Sequence, residues 1–182
     1  MRLFIGIPLR ETTQQQIFTK LQTFGNMDGF RFGKPENYHI TLLFLGETQI
    51  NPSLLIDSLS QVPSQVDPIE FTLQQLNGFP TNNRAVSMGL IVLPKEPFLL
   101  LKEKIIDALS VYGFHMGKEM IPHVTISRMK HAVNIQDLQK KWKFTAIKQI
   151  ADSFVLYQSV LQPAGPIYHQ LHRFQLKGDF HG

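Results

Sequence analysis

Cysteine is absent from this 182-residue sequence. That absence removes disulfide bonds, thiol nucleophiles and cysteine-bound zinc, and it is compatible with a reducing compartment. Long hydrophobic runs are also missing. The apolar opening from Arg2 is interrupted by Pro8 and ends on Arg10 and Glu11 with no small-residue cleavage site. It therefore reads as a core strand rather than a secretion signal. No stretch has the length of a membrane-spanning helix, and the expectation is a cytoplasmic chain with no membrane contact. There is no Lys/Arg tract either. The net charge of +4 agrees with an anionic ligand without requiring one. Charged residues make up only 18% and hydrophobic residues 43%, so a disordered polar chain is excluded. The expected organisation is a single compact domain, 1–182, with a substantial core.

Within that frame the hydrophobic spacing predicts an alternation of strands and helices. Residues 3–7, 39–45, 69–76, 84–93, 123–128 and 167–176 read as strands, and 144–161 as mainly strand. Helices are expected from Thr12 or Thr13 to about Phe24, over 52–61 after Asn51-Pro52, over 97–112 and over 134–142. Pro35 keeps residues 30–38 out of regular helix. The two halves repeat faintly. In each, a long helix leads to a proline-containing approach, a strand opening on His-x-Thr, and a short helix. This predicts an α+β fold of two similar lobes.

The informative residues are His39-Ile-Thr41-Leu42 and His123-Val-Thr125-Ile126. Chance alone would give about 0.4 His-x-Thr in such a composition. Two copies, both in apolar strands, are harder to dismiss. Alternate side chains on a strand share a face, so each copy presents an imidazole beside a hydroxyl with apolar residues behind. An unperturbed imidazole titrates near pH 6.5, roughly, so a neutral and a protonated ring can coexist. One can take a proton from water while the other gives one to a departing oxygen. The hydroxyls can donate to non-bridging phosphate oxygens. That set suits opening of a cyclic phosphodiester with neither metal nor cofactor. His169 and His172 lack the companions a metal site needs and are expected at the surface or a cleft rim.

The sequence resembles the 2H phosphoesterase superfamily, and within it the RNA 2′,3′-cyclic phosphodiesterases, also called 2′-5′ RNA ligases. The resemblance spans Arg2 to Pro8, Pro35 to Glu47 around the first motif, Pro122 to Arg128 around the second, and a looser pattern of Ser159, Gly165 and Tyr168. Phe32 stands where tryptophan is common and Ser127 where alanine is common. The resemblance implies a bilobal fold of antiparallel sheet and helices with a catalytic cleft between the lobes. It implies RNA ends bearing a 2′,3′-cyclic phosphate as substrate and no obligate protein partner. It further implies His39 as the acid on the 3′ oxygen, His123 as the base for water, and a 2′-phosphate product.

Beside the histidines, Thr41, Thr125 and Arg128 are expected to bind the phosphate. Strict alternation from His123 turns Arg128 away from the cleft, so it reaches the site only from the strand end or past a bulge. Phe44 is expected in the core. Tyr38 or Phe32 is a candidate for stacking on a base. Three alternatives stand beside hydrolysis: 2′-5′ joining of RNA, opening of a smaller cyclic nucleotide, and a non-catalytic RNA-binding module.

Overall fold

The structure, a computed structural model, describes residues 1–115, 120–142, 145–163 and 165–177. Its strands are β1 (Arg2–Pro8), β2 (Phe30–Phe32), β3 (His39–Glu47), β4 (Ile69–Phe79), β5 (Ala85–Leu93), β6 (His123–Val133), β7 (Ile147–Ala151), β8 (Ser153–Val160) and β9 (Ile167–Gln175). The helices are α1 (Glu11–Gln22), α2 (Pro52–Leu59), α3 (Glu96–Leu109) and α4 (Gln136–Lys141).

Local chemistry explains the boundaries. α1 begins at Glu11, with Arg10 at the cap position and no side-chain cap, so neither Thr12 nor Thr13 caps it. Glu11 places a carboxylate at the positive end of the helix dipole. Thr13, Ile17 and Leu21 form its buried stripe at four-residue spacing. Asn51 caps α2, its side-chain oxygen accepting from the Ser53 N–H, with Pro52 in the first turn. Phe98, Leu101, Ile105 and Leu109 of α3 are fully buried. The stretch expected to be mainly strand over 144–161 holds two strands, β7 and β8, divided at Asp152, while position 144 lies outside the described residues.

All the strands join one curled antiparallel sheet in the order β7-β4-β5-β6-β3-β1-β8-β9, with β2 paired to β6 beside the main path. Outward from the centre, β3-β1-β8-β9 forms one half and β6-β5-β4-β7 the other. Among the described residues, a single ladder pair joins them, Ile40 opposite Val124. Each is the residue after a motif histidine. The two lobes expected from the repeat are therefore halves of one sheet.

Each half carries the same irregularity three residues beyond its histidine. In the β1–β3 ladder, Ile5 faces Leu43 and Gly6 faces Thr41, so Leu42 is the extra residue. In the β5–β6 ladder, Met88 faces Ser127 and Gly89 faces Thr125, so Ile126 is the extra residue. A one-residue bulge reverses the side-chain alternation beyond it. Phe44 is accordingly 67% exposed and not in the core, because the Leu42 bulge turns it out. By the same step Ser127 is buried at 2% and Arg128 is exposed.

Candidate active site

Carrying the Ile40–Val124 register one residue either way sets His39 opposite Thr125 and Thr41 opposite His123. The four motif side chains thus share one face, crosswise about the pair that joins the halves. The apolar partners, Ile40, Leu42, Val124 and Ile126, are buried behind them.

Both imidazoles are held by the same backbone device. His39 Nδ1 lies 2.7 Å from the carbonyl oxygen of Asn37, and His123 Nδ1 lies 2.7 Å from that of Ile121. A carbonyl only accepts, so Nδ1 carries the hydrogen in each ring and Nε2 is left to exchange protons. His39 Nε2 is 3.0 Å from Thr41 Oγ1, which donates to it when the ring is neutral. Asn37 is itself fixed, its side-chain amide donating to the Pro166 carbonyl at 3.0 Å.

Aromatic rings complete the two seats. His39 has Phe4 at 4.9 Å, Tyr168 edge-on at 5.2 Å and Tyr157 at 6.1 Å between ring centroids. His123 stacks on Phe79 at 4.2 Å. Each ring also occupies space left by a glycine on the neighbouring strand. A Cβ on Gly6 would lie 3.2 Å from His39 Cδ2 and 3.0 Å from the Ile40 carbonyl oxygen. A Cβ on Gly89 would lie 2.8 Å from His123 Cδ2 and 3.0 Å from the Val124 carbonyl oxygen. The motif reading missed both glycines. A glycine inside a strand is the signal of a close approach, but only the sheet order says what approaches.

Electrostatics favour neutral imidazoles in the free protein. Burial, against a partly opposing hydrogen bond to Asn37 and with help from His123 and Arg128, lowers His39 from 6.5 to about 4. Burial and Arg128 lower His123 as well. Arg128 also acts on Tyr168, so its charge reaches both histidines and the aromatic wall. Burial pushes Tyr157 up to about 12 and raises Tyr168, so both phenols stay protonated near neutral pH.

The remaining sequence candidates lie elsewhere. Tyr38 is 2% exposed and donates its hydroxyl to the Gly33 carbonyl, so it cannot stack on a ligand. Phe32 is half-buried, packs against the core and lies beside Phe30. His169 and His172 sit exposed on β9, with the His172 ring 4.6 Å from Phe174. Among the described residues, no three His, Cys, Asp or Glu side chains gather in a metal-binding group. No helix among them is long and apolar enough to cross a membrane.

The family model of the 2′-5′ RNA ligase superfamily matches residues 28–162, taking in both His-x-Thr motifs. The chain belongs to this superfamily. A superfamily relative from Methanocaldococcus jannaschii, named RNA 2′,3′-cyclic phosphodiesterase, is 31% identical over 92% of this chain and 96% of its own. One of the same name from Thermotoga maritima is 30% identical over 98% of this chain and 97% of its own. The fold matches a crystal structure of a Thermus thermophilus protein with a TM-score of 0.80, at 22% identity, over 98% of this chain and 100% of that one. The α+β fold with two antiparallel half-sheets is thus that of the 2′-5′ RNA ligase superfamily.

Proposed function

We propose that this chain, acting as one cytoplasmic catalytic domain, hydrolyses 2′,3′-cyclic phosphate ends of RNA with His39 and His123 as its acid–base pair. The observation that carries the reading is the crosswise face of two imidazoles and two hydroxyls, each imidazole with its Nδ1–H tied to backbone. The name borne by relatives of about 30% identity supports the substrate class.

Water oxygen attacks phosphorus and its proton passes to Nε2 of the neutral base. The bond from phosphorus to one ribose oxygen breaks, and that oxygen takes a proton from Nε2 of the other, protonated ring. The two rings then exchange protonation states through solvent. Thr41 and Thr125 donate hydroxyl hydrogens to the non-bridging oxygens, where charge grows in the transition state. Arg128, exposed beyond its bulge, adds a cation toward the same phosphate. Phe44, at the corresponding position of β3, offers an aromatic face to the terminal base.

Both imidazoles are held neutral in the free protein, so the phosphate anion has a second task. Bound between them, it offsets Arg128 and favours the protonated form of the acid. His39 as acid on the 3′ oxygen, with His123 as base, is the assignment carried over from the superfamily. It yields a 2′-phosphate.

The test is incubation with an RNA bearing a 2′,3′-cyclic phosphate end, with and without EDTA, followed by phosphorus NMR of the product. A 2′-phosphate formed at an undiminished rate in EDTA is expected. A 3′-phosphate would reverse the two histidine roles. Turnover that needs an added divalent ion would remove the metal-free mechanism, and no turnover would remove the reading.

A further inference from the structure

A groove of about 470 Å³ lies apart from the motif side chains, between the start of α1 and the start of β7. Its cationic lining is Arg10 and Lys20 from one wall and Lys148 from the other, beside Thr12, Thr13 and Gln16. Among the described residues, no Asp or Glu lines it. The walls come from opposite halves of the sheet, and one buried side chain pins them together. Gln149 of β7 accepts from the Arg10 N–H at 3.2 Å and donates to the Pro8 carbonyl at 3.5 Å. The cations of the two walls therefore face a fixed gap.

The groove also lies near the histidine end of the sheet. Pro8 is the register partner of His39. Register partners sit about 5 Å apart at Cα. Arg10 is two residues further on, at most about 7 Å of extended chain. The Arg10 backbone is thus within about 12 Å of that of His39, close enough for one short single strand to reach both.

We infer that this groove holds backbone phosphates of the RNA upstream of its cyclic end. The inference rests on the hydrolysis reading for where the RNA end sits. The ligand chemistry is that of a single-stranded polyanion: among the described residues three cations recognise phosphates, Thr and Gln side chains offer hydrogen bonds, and no aromatic ring lines the groove to read a base. Cyclic mononucleotides would fill the histidine site alone, and longer RNA would gain the groove as a second hold.

The experiment compares the native chain with the triple variant Arg10→Glu, Lys20→Glu, Lys148→Glu. The substrates are a nucleoside 2′,3′-cyclic monophosphate and a six-nucleotide RNA with the same end. The folded variant should open the mononucleotide like the native chain but show a raised KM for the hexamer. Three phosphate contacts on a single strand give a salt slope of about −2.1, so native affinity for the hexamer should fall about twentyfold between roughly 50 and 200 mM salt. The variant should lose most of that dependence. An unchanged hexamer KM and salt slope would overturn the groove.

If the native chain opens neither substrate, the hydrolysis reading fails on its own. Fluorescence anisotropy with a labelled hexamer ending in an ordinary hydroxyl then decides the groove. Loss of binding in the variant supports it, and retained binding overturns it. Should the triple variant not fold by circular dichroism, Lys148→Ala alone is expected to remove about 0.7 of the slope. An unchanged slope there would also overturn the groove.

Discussion

The two half-sites share a backbone plan and differ in their lining. In both, the histidine Nδ1–H bonds the carbonyl two residues upstream, a neighbouring-strand glycine makes room for the ring, and a bulge follows three residues on. Around His39 there are three aromatic rings and a hydroxyl partner, and Phe44 follows the bulge. Around His123, among the described residues, there is one stacked ring, a tighter glycine gap, and Arg128 beyond the bulge. Two imidazoles on nearly symmetric strands can thus take different roles, because their neighbours and not the motifs set their affinity for a proton.

The strongest challenge to that comparison is removal of either ring. His39→Ala and His123→Ala should each lower turnover by roughly 10²–10⁴-fold. The double variant should lose far less than the product of the two, since both act in one step. Single-turnover rates on a cyclic-ended RNA check this, and a folded single variant near native activity would unseat that histidine.

The glycine seats should separate the halves more finely. Gly89→Ala drives a methyl to 2.8 Å from His123, whereas Gly6→Ala leaves 3.2 Å to His39. Displacing a reacting group by about 1 Å costs on the order of 10²-fold, so Gly89→Ala is expected near that loss and Gly6→Ala clearly below it. Equal losses in kcat would erase the distinction.

Phe44→Ala removes the exposed ring on the His39 side. If Phe44 stacks on a base, KM should rise by about tenfold, in line with roughly 1–3 kcal/mol for such stacking. Arg128→Ala should instead reduce the salt dependence of KM. Matching effects from both substitutions would mean that the two positions are not specialised.

The smallest effects concern pH. With His39 at about 4 and His123 lowered, kcat/KM should peak on the acid side of the ordinary imidazole value. The profile of kcat should sit at higher pH, because bound phosphate raises both rings. Superimposed profiles would contradict that coupling. Stability follows the same shift. Unfolded His39 binds its proton near pH 6.5 and the folded ring only near 4, so the folded state is favoured above about 6.5 and loses stability as pH falls toward 4. Thermal melts of His39→Gln should show a flatter acid side than the native chain.

Strand and helix identities were largely legible, because periodicity and caps are local. The stripe of α3 and the Asn51-Pro52 start of α2 are such cases. The start of α1 was misplaced because Arg10, which lacks a capping side chain, holds the cap position. The shared face of the motif residues is legible because the His-x-Thr spacing alone places imidazole and hydroxyl together on a strand. Alternation predicts Phe44 in the core, and the bulge at Leu42 that turns it out has no local signal. Tyr38 precedes the motif as a stacking ring would, yet its ring lies in the core with the hydroxyl turned to Gly33. Gly6 and Gly89 matter only through what lies on the next strand, and strand order is not written in local pattern.

The bulges at Leu42 and Ile126 act on side chains as a shifted reading frame acts on codons. Every residue downstream is displayed on the opposite face, whatever its identity. The address of Arg128 is therefore set by a count of residues and not by the chemistry of those it follows. Inserting one residue between Met88 and Gly89 of β5 would give Ile126 a partner and remove the bulge, leaving the His-x-Thr motif intact yet sending the guanidinium toward the core and bringing Ser127 out in its place. A chain can in this way gain or lose a cation in its cleft by a one-residue change in length, with no substitution at the cation itself.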